Sequence, residues 1–214
     1  MRIASEGAWP QVVDRELDRT PNQTSRRKRI VTAARRLATH SSESVHLRMV
    51  ADHAGVATSS VYQYFSSKDE LLLACFLEWL AEQETHGRTS MPRDAMPHHS
   101  LFDLVRNLTI ALSETPRLAT YAARAYFTDG CPTGANADRI RCSLSTMFAD
   151  QIQVGIAAAN RHALGEMVAD VWAANMLALV QNRISLPNAL VRLEMAVAII
   201  ERRGIATGRT VAPT

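Results

Sequence analysis

Apolar residues recur along most of the chain at spacings of three and four, the period of an amphipathic helix, and no stretch alternates as a strand would. Between Thr24 and Thr39 the inward set is Ile30, Ala33, Ala34, Leu37 and Ala38. Ser41 to Ser44 interrupts the pattern as a polar connector. Leu47, Val50, Ala51 and Ala54 then make a short second face. Gly55 follows directly, where a helix ends and a residue tolerating positive φ is wanted. Val56 anchors the turn, and Val61 and Phe65 are the apolar positions of a third helix opening at Thr58-Ser59-Ser60. Ser66 or Ser67 is placed to cap a fourth helix, whose Asp69 and Glu70 suit its positive end.

The fourth helix carries two apolar stripes. Leu72, Cys75, Phe76, Trp79 and Leu80 form one, and Leu71, Leu73, Ala74 and Leu77 a second, which predicts packing on both sides. Residues 85–100 read as a loop by their Pro, Gly and Ser content. Beyond it the spacing predicts helices over 100–112, 117–127, 136–160, 164–182 and 186–202, about nine in all. The last two carry more apolar surface than one core requires: Val168, Val171, Trp172 and Leu179 on one, Leu190, Leu193, Ala196, Val197 and Ile200 on the other, with further apolar residues beside them. A four-helix interface between two copies of the chain would bury that surplus.

The chain of 214 residues is 47% hydrophobic, enough for a real core. No run reads as a membrane span, and MRIASEGAWPQ lacks the apolar core of a signal peptide, so a cytoplasmic location is expected. Cys75, Cys131 and Cys142 are odd in number and widely spaced, and are read as buried or partly buried thiols. Net charge is +3, but residues 26–70 hold eight basic residues against four acidic, a surplus of four. Arg26 to Arg29 sit near a helix start, where cations oppose the macrodipole and an external anion would relieve them. A basic head joined to a near-neutral body fits nucleic acid at one end and another task at the other.

The outer face of the third helix carries Thr58, Ser59, Tyr62 and Gln63, with Tyr64 close by and no carboxylate, a set suited to phosphates and base edges. The stretch 47–70, LRMVADHAGVATSSVYQYFSSKDE, resembles the helix-turn-helix of the TetR family of bacterial repressors. Ala51, Ala54, Gly55, Val56, Val61, Tyr62, Tyr64, Phe65 and Lys68 carry the match. His46 and Ala57 stand where the family often has Thr and Ser, so both usual N-cap residues are missing and Thr58 is expected to take over capping. The resemblance implies an all-α protein: a flexible tail (1–22), a three-helix DNA-binding domain (23–67), a helical ligand-binding and dimerisation domain (68–204) and a C-terminal tail (205–214). It implies DNA contacts from Arg48, Thr58, Ser59, Ser60, Tyr62, Gln63, Tyr64 and Lys68.

A homodimer joined through the last two long helices would place two recognition helices about 34–36 Å apart on a palindromic double-stranded operator. A small apolar effector in the body would shift that spacing. Phe76, Trp79, Leu104, Leu108, Leu112, Tyr121, Met147, Trp172 and Met176 are the candidate walls, with Arg124 or Asn175 as polar anchors. ETPRLATYAARAYF (114–127) and ADVWAANMLAL (169–179) are similar to segments of actinobacterial repressors of cholesterol catabolism, which implies a steroid-derived coenzyme A thioester. Arg48, Tyr62, Tyr64 and Lys68 agree with that group, whereas Thr58-Ser59-Ser60 is this chain's own. A regulator of efflux genes with an apolar xenobiotic inducer is the alternative. A helical enzyme is the rival from another class, and it lacks G-x-S-x-G, a Gly-rich phosphate loop and H-E-x-x-H. His86, His98 and His99 share a stretch without a neighbouring acid or thiol at ligand spacing, so neither metal nor cofactor is expected.

Overall fold

In the computed structural model, residues 20–40, 44–90, 100–127, 134–152 and 158–208 are described. They form nine helices and no strand: α1 (Pro21–His40), α2 (Leu47–Ala54), α3 (Thr58–Tyr64), α4 (Lys68–Ser90), α5 (Ser100–Ser113), α6 (Pro116–Phe127), α7 (Gly134–Ala149), α8 (Ala158–Val180) and α9 (Leu186–Gly208). Trp9 and most of the expected tails, most of the connector at 41–44, the stretch with His98 and His99, and Cys131 lie outside the described residues.

Local chemistry explains the ends. Thr20 and Gln23 make one half of a capping box, the Thr20 amide donating to Oε1 at 2.9 Å, and Pro21 occupies the first turn, where its missing N–H costs nothing. This T-P-N-Q signal starts α1 earlier than periodicity indicated. Gly55, at φ 63° and ψ 44°, closes α2 in a Schellman arrangement: its amide donates to the Asp52 carbonyl and the Val56 amide to that of Ala51. Asn182, at φ 55°, ends α8 in the same manner. Ser67 caps α4, its Oγ accepting from the Glu70 amide at 3.0 Å, while the Glu70 carboxylate accepts from the amide and hydroxyl of Ser66.

Three boundary expectations are corrected. Thr58 does not cap α3: the N-cap is Ala57, extended and without a side-chain bond, as His46 is at α2. Residues expected as loop from 85 continue α4 to Ser90. The single helix expected over 136–160 is broken, α7 ending at Ala149 with two three-residue turns from Phe148 and Ala149.

Packing follows from the stripes. Ile30, Val31, Ala34 and Leu37 of α1 close on Val50, Ala51, Val61 and Phe65 to make the core of the head. Leu71 to Phe76 of α4 are all buried, because α4 lies against α1 on one side and α6 and α7 on the other. A fully buried Leu or Phe contributes about 1.5–3 kcal/mol, so that run joins head and body firmly. α8 packs on α6, α7 and α9. It is also the one described helix long and apolar enough by length and composition to cross a membrane, at mean hydropathy 1.4 over Asn160–Val180, although Arg161, Glu166 and Asp170 interrupt it. Its apolarity has a local use: Val168, Ala169, Trp172 and Met176 are core.

Candidate nucleic-acid interface and effector cavity

α2, the Gly55 turn and α3 hold the expected DNA-facing side chains together on the head. Val61 and Phe65 are buried and fix the roll of α3, which leaves Ser59, Tyr62 and Gln63 exposed and Thr58, Ser60 and Tyr64 half-buried. Tyr62 is 58% exposed, a large ring with no structural reason to face water. Arg48 is exposed on the first turn of α2 and Lys68 stands at the first residue of α4. The other cations surround these. Lys28, Arg29, Arg36, His40 and His53 line a broad groove between α1 and α2, while Arg27 lies over the Phe65 ring at 5.3 Å and braces α1 against the end of α3.

The body contains a small apolar cavity of about 40 Å³, open to solvent on one side and walled by α4, α5, α6, α7 and α8. Phe76, Leu112, Trp172 and Met176, four of the expected wall residues, line it. The remaining expected ones do not. Trp79 stacks on Phe76 at 5.3 Å but stays in the core, Leu108 and Met147 are buried elsewhere, and Leu104 is half-buried on α5. Tyr121 and Arg124 face the start of α4 instead, beside Lys68 and Asp69. Asn175 bonds back to the Val171 carbonyl at 2.8 Å.

Sequence reasoning missed Ala119, Ala122, Ala123, Tyr126, Phe127, Ile140, Leu144, Ala173 and Val180. Space in a helical body is made by small side chains, and the alanines of α6 and α8 were the signal for it. The lining is almost wholly apolar, with Tyr126 its polar handle. Burial pushes the Tyr126 phenol up from its ordinary value, while the nearby Arg141 charge pulls the other way. Arg141 is itself held by both carboxylate oxygens of Asp170. Thr109, fully buried, accepts from the Trp172 indole at 3.0 Å and gives its own proton to Val105, so the cavity's largest ring is fixed in place.

Among the described residues no group of three metal-ligating side chains comes together, and His86 lies exposed on α4. Cys75 is buried as expected, but Cys142 is exposed on α7, a correction to its reading as a covered thiol.

A basic helix-turn-helix head joined by one buried helix to a helical body with an apolar cavity defines a DNA-binding transcriptional regulator, not an enzyme. The chain belongs to the TetR family: the profile of bacterial regulatory proteins of the tetR family matches residues 30–75, and that of the tetracyclin repressor-like C-terminal domain matches residues 95–200. It is 30% identical over 179 residues to the HTH-type transcriptional repressor KstR of Mycobacterium tuberculosis, covering 83% of this chain and 81% of that one. KstR of Rhodococcus jostii is 27% identical, over 83% and 84%. Among solved structures, a TetR regulator from Rhodococcus sp. RHA1 superposes with a TM-score of 0.74 at 21% identity, over 84% and 97%. Thermus thermophilus FadR in complex with lauroyl-CoA gives 0.65 at 16% identity, over 88% and 97%.

Proposed function

We propose that this protein is a cytoplasmic, ligand-responsive transcriptional repressor that grips a palindromic operator as a homodimer and lets go when a largely apolar effector, a steroid- or fatty-acyl thioester, enters the body. One observation carries the reading: α6 lines the apolar cavity with Ala119, Ala122, Ala123 and Tyr126, and its other side meets the first turn of α4 at Tyr121. Whatever fills the cavity presses on the helix that holds the head. The effector must favour one arrangement of the dimer over the other, since equal affinity for both shifts nothing. A coupling of about 1–3 kcal/mol corresponds to roughly 5–150-fold in operator affinity.

The dimer reading rests on a surplus of apolar surface. Met167 of α8 and Val191, Met195 and Ile199 of α9 are each more than half exposed, while Leu193, Val197 and Ile200 on the other side of α9 are core. Two such faces pressed together form a four-helix interface. Arg48, Ser59, Tyr62, Gln63 and Lys68 of each copy would then meet DNA, with Thr58, Ser60 and Tyr64 placing the backbone of α3. The similarity to KstR and to an acyl-CoA-bound FadR supports a thioester effector. An uncharged lining also suits an apolar xenobiotic and a role in efflux control, the second reading.

The test is release of bound DNA. With a labelled palindrome from the gene's own upstream region, lauroyl-CoA or a cholesterol-derived thioester is expected to weaken binding 5–150-fold while free coenzyme A does not. Ala123→Phe, which fills the cavity, is expected to bind DNA normally and to ignore the thioester. Release by a neutral xenobiotic alone would favour the second reading, and an Ala123→Phe protein as responsive as the parent would remove the cavity from the account.

A further inference from the structure

Two side chains of the body reach the first turn of α4. The Lys68 ammonium lies over the Tyr121 ring, with Nζ 5.5 Å from the centroid, inside the range of a cation–π contact. Asn136 of α7, buried, donates to the Glu70 carbonyl at 3.1 Å. The Tyr121 hydroxyl takes a 3.4 Å hydrogen bond from Arg117, one turn earlier on α6. One residue of α6 therefore meets the first residue after the helix-turn-helix.

Lysine is an unfavourable choice at that position. The N-terminal end of a helix carries partial positive charge, and a cation there needs a negative or π-rich neighbour. In the free protein the Tyr121 ring is that neighbour. On DNA a phosphate joins it, from the side that α3 presents.

We propose that Tyr121 is a positioning residue for DNA binding: its ring seats the Lys68 ammonium before the operator arrives, so affinity depends on α6 as well as on the head. The proposal rests on the reading of Lys68 as a phosphate contact. Lysine has four rotatable side-chain bonds, and holding them in advance removes part of the entropy lost when the ammonium clamps a phosphate. The seat also lies one or two residues from the cavity wall formed by Ala119, Ala122 and Ala123. A roll of α6 would carry the ring away from Lys68.

The experiment measures operator affinity by fluorescence anisotropy between 50 and 200 mM salt for Lys68→Met, Tyr121→Phe, Tyr121→Leu and the Lys68→Met/Tyr121→Leu double variant, with an unfolding midpoint for each. Lys68→Met is expected to weaken binding and flatten the slope of log K against log salt by about 0.9 per lost contact, close to two for a dimer. Tyr121→Phe, which keeps the ring, is expected to stay within about twofold of the parent. Tyr121→Leu is expected to lose about 5–30-fold, from one cation–π contact per subunit, and to lose nothing further once Lys68 is Met. Should Tyr121→Leu fail to fold, Tyr121→Gln takes its place. A Tyr121→Leu loss that persists without Lys68, or a Tyr121→Leu protein that binds like the parent while Lys68→Met does not, overturns the proposal and leaves the role of Lys68 intact. Lys68→Met with unchanged affinity and slope overturns both.

Discussion

Arg35 of α1 and Glu82 of α4 form a two-pronged ion pair, with Nη1 to Oε1 at 2.6 Å and Nη2 to Oε2 at 2.7 Å. It ties the outer helix of the head to α4 about four turns beyond Lys68. Planar bidentate geometry makes this stronger than a typical surface pair, although side-chain exposures of 28% and 44% leave it screened by solvent. Arg35→Met is expected to destabilise by about 1 kcal/mol, less in high salt. A double-mutant cycle with Glu82→Gln measured by urea unfolding checks it, and additive single effects would contradict it.

Glu78, one turn before Glu82, pulls the other way. Burial raises its carboxyl above 4.5, and Arg35 only partly offsets that. A raised folded-state value means the favourable protonated form is fully present below about 4.5 and is lost as pH rises through the folded value. At neutral pH the charge is therefore a cost, and Glu78→Gln is expected to raise the melting temperature at pH 7. Melting scans from pH 7 down to 4 check the sign: the gain should shrink toward acid, and a gain that grows there would contradict the account.

α7 and α8 cross at Gly165. A Cβ at that position would overlap the Ser145 carbonyl oxygen and come within 3.0 Å of the Ala149 Cβ and nitrogen. Alanine is worth about 1 kcal/mol more than glycine inside a helix, yet backbone cannot yield as a flexible side chain can. Gly165→Ala is expected to destabilise by about 1–3 kcal/mol, read as a lowered melting temperature. Gly55→Ala meets nothing within 4 Å and is expected to cost about 1–2 kcal/mol through its positive φ alone.

Cys75 is sealed between α1 and α4, its thiol pointing at the Val31 carbonyl at 3.6 Å, and burial pushes its ionisation far above the ordinary thiol value. Cys142 is exposed. Brief treatment of the folded protein with a maleimide is expected to label the peptide holding Cys142 and to spare that holding Cys75. Mass spectrometry of the digest decides, and prompt labelling of Cys75 would show that α1 and α4 separate readily.

The head was legible in the sequence because each of its signals is local. Gly55 demands a left-handed turn, Val61 and Phe65 fix the roll of α3, and the remaining face follows. α4 was legible for the same reason, since two interleaved stripes cannot belong to an exposed helix. The cavity was not, because a void is defined by what is missing. Ala119, Ala122 and Ala123 look like filler in a sequence and become walls only when α6 crosses α4 and α8. Tyr121 shows the converse error. Its size suits a wall, but it lies about half a turn around α6 from Ala119 and Ala123, on the side that meets Lys68 and not the cavity. The end of α7 is hidden in the sequence because the stretch after Ala149 keeps apolar spacing.

The central claim is that the exposed face of α3 reads DNA. Fluorescence anisotropy with the gene's own upstream palindrome, against a scrambled duplex of equal length and salt, tests it most directly with the parent protein and Tyr62→Ala. Because Tyr62 is 58% exposed, its loss is expected to leave the melting temperature unchanged while lowering specific affinity at least about tenfold, a typical cost of 1.4 kcal/mol for a base or phosphate contact. Equal affinity for both duplexes, or a Tyr62→Ala protein that binds the palindrome as the parent does, would contradict it.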